Sequence, residues 1–343
     1  MSKTKVLIIG PYPPPLGGVT VECNTLTSCL REFDEAITVD QFNTNLSTLG
    51  LLQKFCSFIF KVLKADSVFV YGSHRGVCLF GIFFVPLCKI ARKRCVVKIT
   101  GGNLWEYFQS ANSLFRVLLN MSLFRANAML LETKSLVRNF QEQHSNIYWF
   151  PMTRIYSDVG NVTINEKSKL RVVYLGHINE PKGVLLLLEA ADKLKNICID
   201  AFGEFVAKDG RQLSEETFRG RKVTYRGVVQ PEELSSVLSE YDVLVLPTQY
   251  IGEGYPGVII EAKRAGLAVI TTRWRSIPEI VKHNFDGLLV EPGNLNELAS
   301  ALSQLNSDRK HLTRLKQGSR DSFANFDSRI WCRSLIKHLV GSK

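Results

Sequence analysis

The chain has no G-x-G-x-x-G fingerprint, no C-x-x-C pair and no apolar run long enough to span a bilayer. The first absence counts against a nicotinamide or flavin dinucleotide enzyme. The second leaves no zinc or disulfide framework among the eight cysteines, which sit mostly in apolar segments and read as reduced, buried thiols of a cytoplasmic protein. The uncharged run at 76–88, GVCLFGIFFVPLC, is too short for a transmembrane helix, and Pro86 is expected to interrupt it. A secretory leader is not expected either. The first apolar stretch, Val6 to Ile9, is short, and Pro11, Pro13, Pro14 and Pro15 follow at once. No short repeat or low-complexity tract is visible.

What is present is a 343-residue chain with ordinary apolar (45%) and charged (22%) content, which exceeds one usual core and predicts two domains. Its net charge of +11 is uneven, with 17 basic against 10 acidic residues in positions 1–160. There, Lys54, Lys61, Lys64, Lys89, Arg92, Lys93 and Arg94 accompany apolar stretches. The segment 49–63, LGLLQKFCSFIFKVL, reads as a basic amphipathic helix. Apolar surface beside lysine and arginine predicts peripheral contact with an anionic membrane surface. Nucleic acid is not an expected partner, because no recognised binding motif accompanies the charge.

Short apolar runs ending in Gly, Pro or polar residues alternate with segments of helical period. Strands are predicted at 6–10, 37–42, 68–72, 95–100, 128–132, 172–176, 199–203, 223–227, 243–247, 268–271 and 287–290. Helices are predicted at 185–195, 231–240, 257–265, 277–283, 295–305 and 328–340, with another starting near Val19. Fully apolar strands between helices argue for parallel sheets covered on both faces. The polar stretch from Arg154 to Lys169 breaks the alternation and predicts an interdomain link, with domains at 1–155 and 156–324. The fold class is α/β, two doubly wound Rossmann-like domains facing a central cleft, with ligands at the carboxyl ends of strands.

The most informative segment is GEGYPGVIIEAKRAG, in which seven residues separate Glu253 from Glu261. Gly254, Tyr255, Pro256 and Gly257 bend the backbone, and Val258-Ile259-Ile260 start a helix that Gly266 is placed to end. Two acceptor-only carboxylates beside the positive start of a helix suit a sugar nucleotide, whose hydroxyls flank a diphosphate. A capped surface helix with solvated carboxylates is the alternative reading of that segment alone. Lys182 and Gly183 stand at the start of another apolar helix just beyond a strand. A lysine gains nothing from a positive helix end, so an anionic ligand accounts for it better. Gly17 and Gly18, before the first helix, either let backbone N–H groups approach a substrate or form a simple tight turn.

Taken together, PPLGGV, YLGHINEPKGVLLLLEAADKL, the Glu253–Glu261 segment and IPEIV…DGLLVEPGN resemble retaining GT-B glycosyltransferases of family four. That family includes sucrose synthases and many bacterial lipopolysaccharide, capsule and O-antigen sugar transferases. The resemblance implies a nucleotide-diphosphate sugar as donor, a lipid-linked or glycan acceptor, and neither metal nor cofactor. It implies that Lys182 grips the diphosphate, Glu261 takes the ribose and Glu253 the sugar hydroxyls. Backbone of Tyr255, Pro256, Gly257 and Val258 meets sugar and phosphate, and Gly17 and Gly18 close over the diphosphate. It also implies that a C-terminal helix, 325–343, returns to complete the first domain. Two departures stand out. His177 occupies the place of the usual arginine, which predicts weaker or pH-dependent leaving-group stabilisation. Gly102 and Asn103 replace a histidine at a strand end, with His74 a candidate to compensate. A catalytically idle scaffold that binds nucleotide or glycan, and a nucleotide-sugar epimerase of the same architecture, remain alternatives. Base, sugar, acceptor and linkage are not legible.

Overall fold

The structure is a computed structural model that describes residues 3–14, 17–33, 37–45, 50, 54–155, 169–207 and 212–341. The chain divides into two compact units, Met1–Tyr156 with Phe326–Lys343, and Ser157–Asn325. Of the polar stretch expected to link them, 156–168 lie outside the described residues.

Unit 1 is built on strands β1 (Thr4–Gly10), β2 (Ile37–Asn43), β3 (Ser67–Ser73), β4 (Arg94–Thr100), β5 (Ala128–Leu131) and β6 (Ile147–Trp149). They form one parallel sheet in the order β2-β1-β3-β4-β5-β6. Alternation along β1 shows why its strands read as unbroken apolar runs. Val6 and Ile8 enter one core with Leu26 and Leu30 of α1 (Gly18–Phe33) and with Cys332, Leu335 and Leu339 of the C-terminal helix Ser328–Val340. Leu7 and Ile9 enter the opposite core, beneath α2 (Phe55–Lys64), α3 (His74–Ile90), α4 (Leu104–Ser110), α5 (Ser113–Met121) and α6 (Lys134–Gln141). A dry ionic knot holds α1 to the sheet. Lys98 Nζ lies 2.6 Å from Glu22 Oε1 and donates to the Pro151 carbonyl, while Tyr71 Oη donates to Glu22 Oε2 at 2.6 Å. Breaking either charge would strand the other out of water.

Unit 2 repeats the design with β7 (Leu170–Leu175), β8 (Ile197–Phe202), β9 (Val223–Tyr225), β10 (Val243–Leu246), β11 (Ala268–Thr272) and β12 (Gly287–Val290). The sheet is parallel, in the order β12-β11-β10-β7-β8-β9. Its helices are α7 (Val184–Asp192), α8 (Leu234–Ser239), α9 (Gly257–Arg264), α10 (Leu295–Ser307) and α11 (Arg309–Phe323).

Four expectations need correction. Residues 277–283 do not form an α-helix: a 3-10 turn spans Ile277–Glu279, and the chain then bridges His283 to Gly287. Ile277, Ile280 and Val281 are buried at helical spacing, which one turn satisfies as well as a helix does. The Pro231–Glu240 helix is shorter, with only Leu234–Ser239 helical. Pro86 does not interrupt its segment, since α3 runs through it to Ile90. Buried Phe84, Val85 and Cys88 on either side hold the turn that a missing N–H weakens. Not every cysteine is buried either. All eight are free, but Cys56 and Cys198 are exposed. Of the predicted amphipathic helix at 49–63, residues 49 and 51–53 lie outside the described residues, and α2 begins at Phe55. Among the described residues, no helix is long and apolar enough to cross a membrane.

Candidate active site

The strand order of unit 2 reverses between β7 and β10. From β7 the chain adds β8 and β9 on one side, then returns to lay β10, β11 and β12 on the other. Connections leaving in opposite directions open a crevice at the carboxyl ends of those two strands. The loops that follow them carry Lys182 and Glu253.

After β7, Asn179 Oδ1 accepts the Lys182 N–H at 3.1 Å and caps a 3-10 turn, Glu180–Lys182. Gly183 then takes φ +80°, and a Cβ there would stand 2.0 Å from the Pro247 carbonyl oxygen. Only glycine lets this turn approach the end of β10 so closely. The Gln249 N–H donates to the Pro181 carbonyl at 2.7 Å and ties the two loops together. Lys182 is thereby delivered onto Glu253, with Nζ 2.9 Å from Oε1 and 2.7 Å from Oε2. Thr248 Oγ1 donates to the same carboxylate at 2.8 Å, and Lys182 Nζ sits 5.1 Å from the Tyr250 ring centroid. The side chains of Lys182 and Glu253 are 17% and 7% exposed, so the pair is mostly screened from water. Supports lie behind it: Thr272 Oγ1 donates to the Thr248 carbonyl at 2.6 Å, and Trp274 Nε1 to the Tyr250 carbonyl at 2.8 Å.

Eight residues of α9 follow. Its N-cap, Pro256, has no side-chain acceptor to cap the helix, and Gly257 and Val258 open the first turn. Helix-start amides left uncapped by side chains carry the positive end of the helix dipole. Tyr255 is buried, and its Oη donates to Glu279 Oε2 at 2.6 Å, which pins the bend. Glu261 is buried one turn into the helix and pairs with Arg264 at 2.8 Å. Gly266, at φ +71°, ends the helix as expected. His177 is exposed just beyond β7, and its carbonyl accepts Tyr174 Oη at 2.8 Å.

The remaining predicted residues belong to unit 1, whose own strand order reverses between β1 and β3. Gly17 precedes α1 and Gly18 begins it. The Gly17 N–H donates to Thr20 Oγ1 at 3.0 Å, and a Cβ at Gly17 would meet nothing within 4 Å. His74 opens α3 directly after β3, with its ring 5.0 Å from Tyr107 on α4. Burial and the neighbouring Arg75 push its pKa below the usual histidine value. Gly102 and Asn103 follow the adjacent β4, with Gly102 buried and Asn103 leading into α4. Ser73 pairs with Thr100, so His74 and the 101–103 turn leave neighbouring strand ends.

The structure therefore joins Lys182 directly to Glu253, sets Tyr255 to Val258 and Glu261 on the next turn and helix, and places His74, Gly102 and Asn103 just beyond the carboxyl ends of two neighbouring central strands. Sequence reading missed Asn179, Thr248 and Tyr250. Thr248 and Tyr250 directly follow a strand that ends in the candidate crevice, which is the signal that marks them. It also missed Glu132, buried at the end of β5, which accepts the Gly101 N–H at 3.1 Å. Among the described residues, no three His, Cys, Asp or Glu side chains gather as a metal site would need.

Residues 161–322 match the family described as Glycosyl transferases group 1. Unit 2 belongs to that family. Among relatives is sulfoquinovosyl transferase SQD2 of Arabidopsis thaliana, 29% identical over 167 residues, which are 48% of this chain and 32% of that protein. The chain spans 32%, 36% and 37% of the length of three such curated relatives, this one included. A relative matched over nearly the whole chain is the N,N'-diacetylbacillosaminyl-diphospho-undecaprenol alpha-1,3-N-acetylgalactosaminyltransferase of Campylobacter jejuni. It is 24% identical, over 93% of this chain and 89% of its own. Anabaena Alr3699/HepE, solved in complex with UDP, superposes with a TM-score of 0.76 at 15% identity, over 98% of this chain and all of its own. At that identity the likeness speaks for the fold alone, which is GT-B.

Proposed function

We propose that this chain is a retaining glycosyltransferase that moves a sugar from a nucleotide-diphosphate sugar to a lipid-linked or oligosaccharide acceptor in surface polysaccharide synthesis. The observation that carries the reading is the Lys182–Glu253 pair, held at the strand-order reversal of a group 1 unit and followed at once by the uncapped start of α9. A diphosphate placed there meets a cation and helix amides together, and both stabilise the charge that develops as the bond from C1 of the sugar to the phosphate oxygen breaks. In this reading that work needs no metal ion. As the donor enters, Lys182 turns from Glu253 to phosphate, and the freed carboxylate accepts the sugar hydroxyls. Glu261 takes the ribose hydroxyls. His177 supplies a second, partly protonated donor to the leaving group. The acceptor hydroxyl attacks C1 on the face the diphosphate leaves.

The Campylobacter jejuni relative, whose name describes transfer onto an undecaprenol-linked sugar, supports a lipid-linked acceptor. The proposal places the chain in the cytoplasm, peripherally on the inner face of the membrane. A thermal-shift screen against nucleoside diphosphates and their sugars tests the donor half. One nucleotide should raise the melting point, and Lys182→Ala and Glu261→Ala should each weaken donor binding or turnover at least tenfold, as loss of a charge-assisted contact worth about 1.5–3 kcal/mol implies. Unchanged kinetics in both variants would remove these residues from the site.

A further inference from the structure

Three neighbouring helices of unit 1 each carry two apolar stripes, of which only one faces the core. On α3, Val77, Cys78, Phe84, Val85 and Cys88 are buried, whereas Leu79, Phe83, Leu87 and Ile90 face outward, with Phe83 74% and Ile90 80% exposed. Their spacing of four, four and three residues puts them on one line along the helix. On α5, Leu114, Val117, Leu118 and Met121 repeat that outward line at three, one and three residues. On α2, Phe55, Ile59, Phe60 and Leu63 do the same, and none of its side chains is fully buried. A surface helix should turn polar residues to water, so a second apolar face on three neighbouring helices calls for a cover.

The helices are adjacent. Phe58 of α2 packs on Phe80 and Phe84 of α3 at 6.2 Å and 5.7 Å between ring centroids. Phe58, Phe80 and Phe115 of α5 pack against the same core. At ~150–250 Å² for a large side chain, the outward portions sum to on the order of 1,000 Å², above the ~300–600 Å² of the largest patch on a typical monomer.

Charge decides what covers it. None of the three helices contains an aspartate or glutamate. Lys54, Lys64, Lys89, Arg92 and Arg125 lie exposed on or beside them, and Lys64 Nζ sits 3.9 Å over the Phe60 ring. Lys61 is engaged at 2.7 Å by Asp40 on β2. A protein partner or a second copy would need acidic groups to meet that rim, and a second copy would bring the same cations. Long basic side chains that keep their heads in water while their stems lie along apolar surface suit a headgroup layer.

We propose that the outward face of α2, α3 and α5 docks on an anionic lipid bilayer, with the aliphatic and aromatic side chains entering the interface and the basic rim meeting headgroup phosphates. This deepens the membrane part of the proposed function and does not depend on the donor site. The test is co-sedimentation of the full chain with vesicles of phosphatidylcholine alone and of phosphatidylcholine with phosphatidylglycerol. Binding should require the anionic lipid and weaken in high salt. It should fall roughly tenfold or more in Phe83→Glu/Ile90→Glu and, separately, in Leu114→Glu/Met121→Glu. These positions are exposed, so the melting point and the nucleotide-induced shift should stay as in the wild type, which separates this surface from the donor site. Equal binding to neutral vesicles, no binding, or retained binding by both variants would overturn the proposal. So would a dimer in sedimentation velocity that Phe83→Glu/Ile90→Glu dissociates.

Discussion

Lys182 and Glu253 neutralise each other, so the donor must compete for the lysine. A buried pair is costly to break by deleting one partner, but a diphosphate brings its own negative charge to replace the carboxylate. Glu253→Gln keeps the shape and the hydroxyl-binding capacity while removing the charge that holds Lys182. Binding of a nucleoside diphosphate without sugar should therefore tighten, by about threefold to tenfold for ~1 kcal/mol of released pairing, while sugar transfer falls at least tenfold. Calorimetry with the diphosphate that the screen identifies, set beside initial rates, measures both. A variant that binds the diphosphate more weakly than wild type would show that Glu253 does not restrain the lysine. The two members of this pair were legible because each stands in a dense local pattern of glycine, proline and apolar residues. For Thr248 and Tyr250 only their place after a strand end was legible, because their role depends on the 181–183 turn meeting the end of β10, a contact between segments more than 60 positions apart in sequence.

Glycines at the element boundaries differ in what demands them. Gly183 is required by the fold: at φ +80° with the Pro247 carbonyl 2.0 Å from its virtual Cβ, alanine meets both backbone strain and overlap. The left-handed conformation alone costs ~1–2 kcal/mol, and forced overlap adds ~1–3 kcal/mol, so Gly183→Ala should lower the urea midpoint and displace Lys182 as well. Gly17 is not at positive φ and its virtual Cβ meets nothing, so Gly17→Ala should cost no more than ~1 kcal/mol as a poorer helix cap. If Gly17 serves the donor, turnover should fall while the urea midpoint barely moves. A large loss of stability in Gly17→Ala would assign that glycine to folding instead. The same boundary logic accounts for what the pattern revealed of the elements. Among the described residues, eleven strands announced themselves as apolar runs closed by turn residues. The twelfth, β6, has three residues with only Ile147 buried, too few to show a period. The helix expected at 277–283 failed because burial of three residues at helical spacing does not separate one turn from several.

At the scale of the whole molecule, histidines set the behaviour in mild acid. His74, His144, His283 and His338 all have their pKa values pushed below the ordinary 6.5, first by burial and then by the nearby Arg75, Arg125, Arg273 and Arg94 respectively. Their neutral forms are favoured by folding, so just below pH 6.5 the unfolded chain binds more protons than the folded one. Stability should then be full above that pH and decline as pH falls through the depressed folded values. Carboxyl groups of ordinary pKa titrate below that interval, and the Cys29 thiol, lowered to about 7 by its hydrogen bond with Cys332, enters only at the upper end. His283 gives the effect a structural cause. Its Nδ1 accepts the Leu289 N–H at 3.0 Å, a bond that protonation at that nitrogen abolishes. The melting point should drop between pH 7.5 and pH 5.5, and less steeply in His283→Gln, whose amide oxygen can accept the same N–H without titrating. A melting point that stays level across that interval would mean these histidines, of which His74, His144 and His338 are half-buried and His283 is exposed, accept protons as readily folded as unfolded.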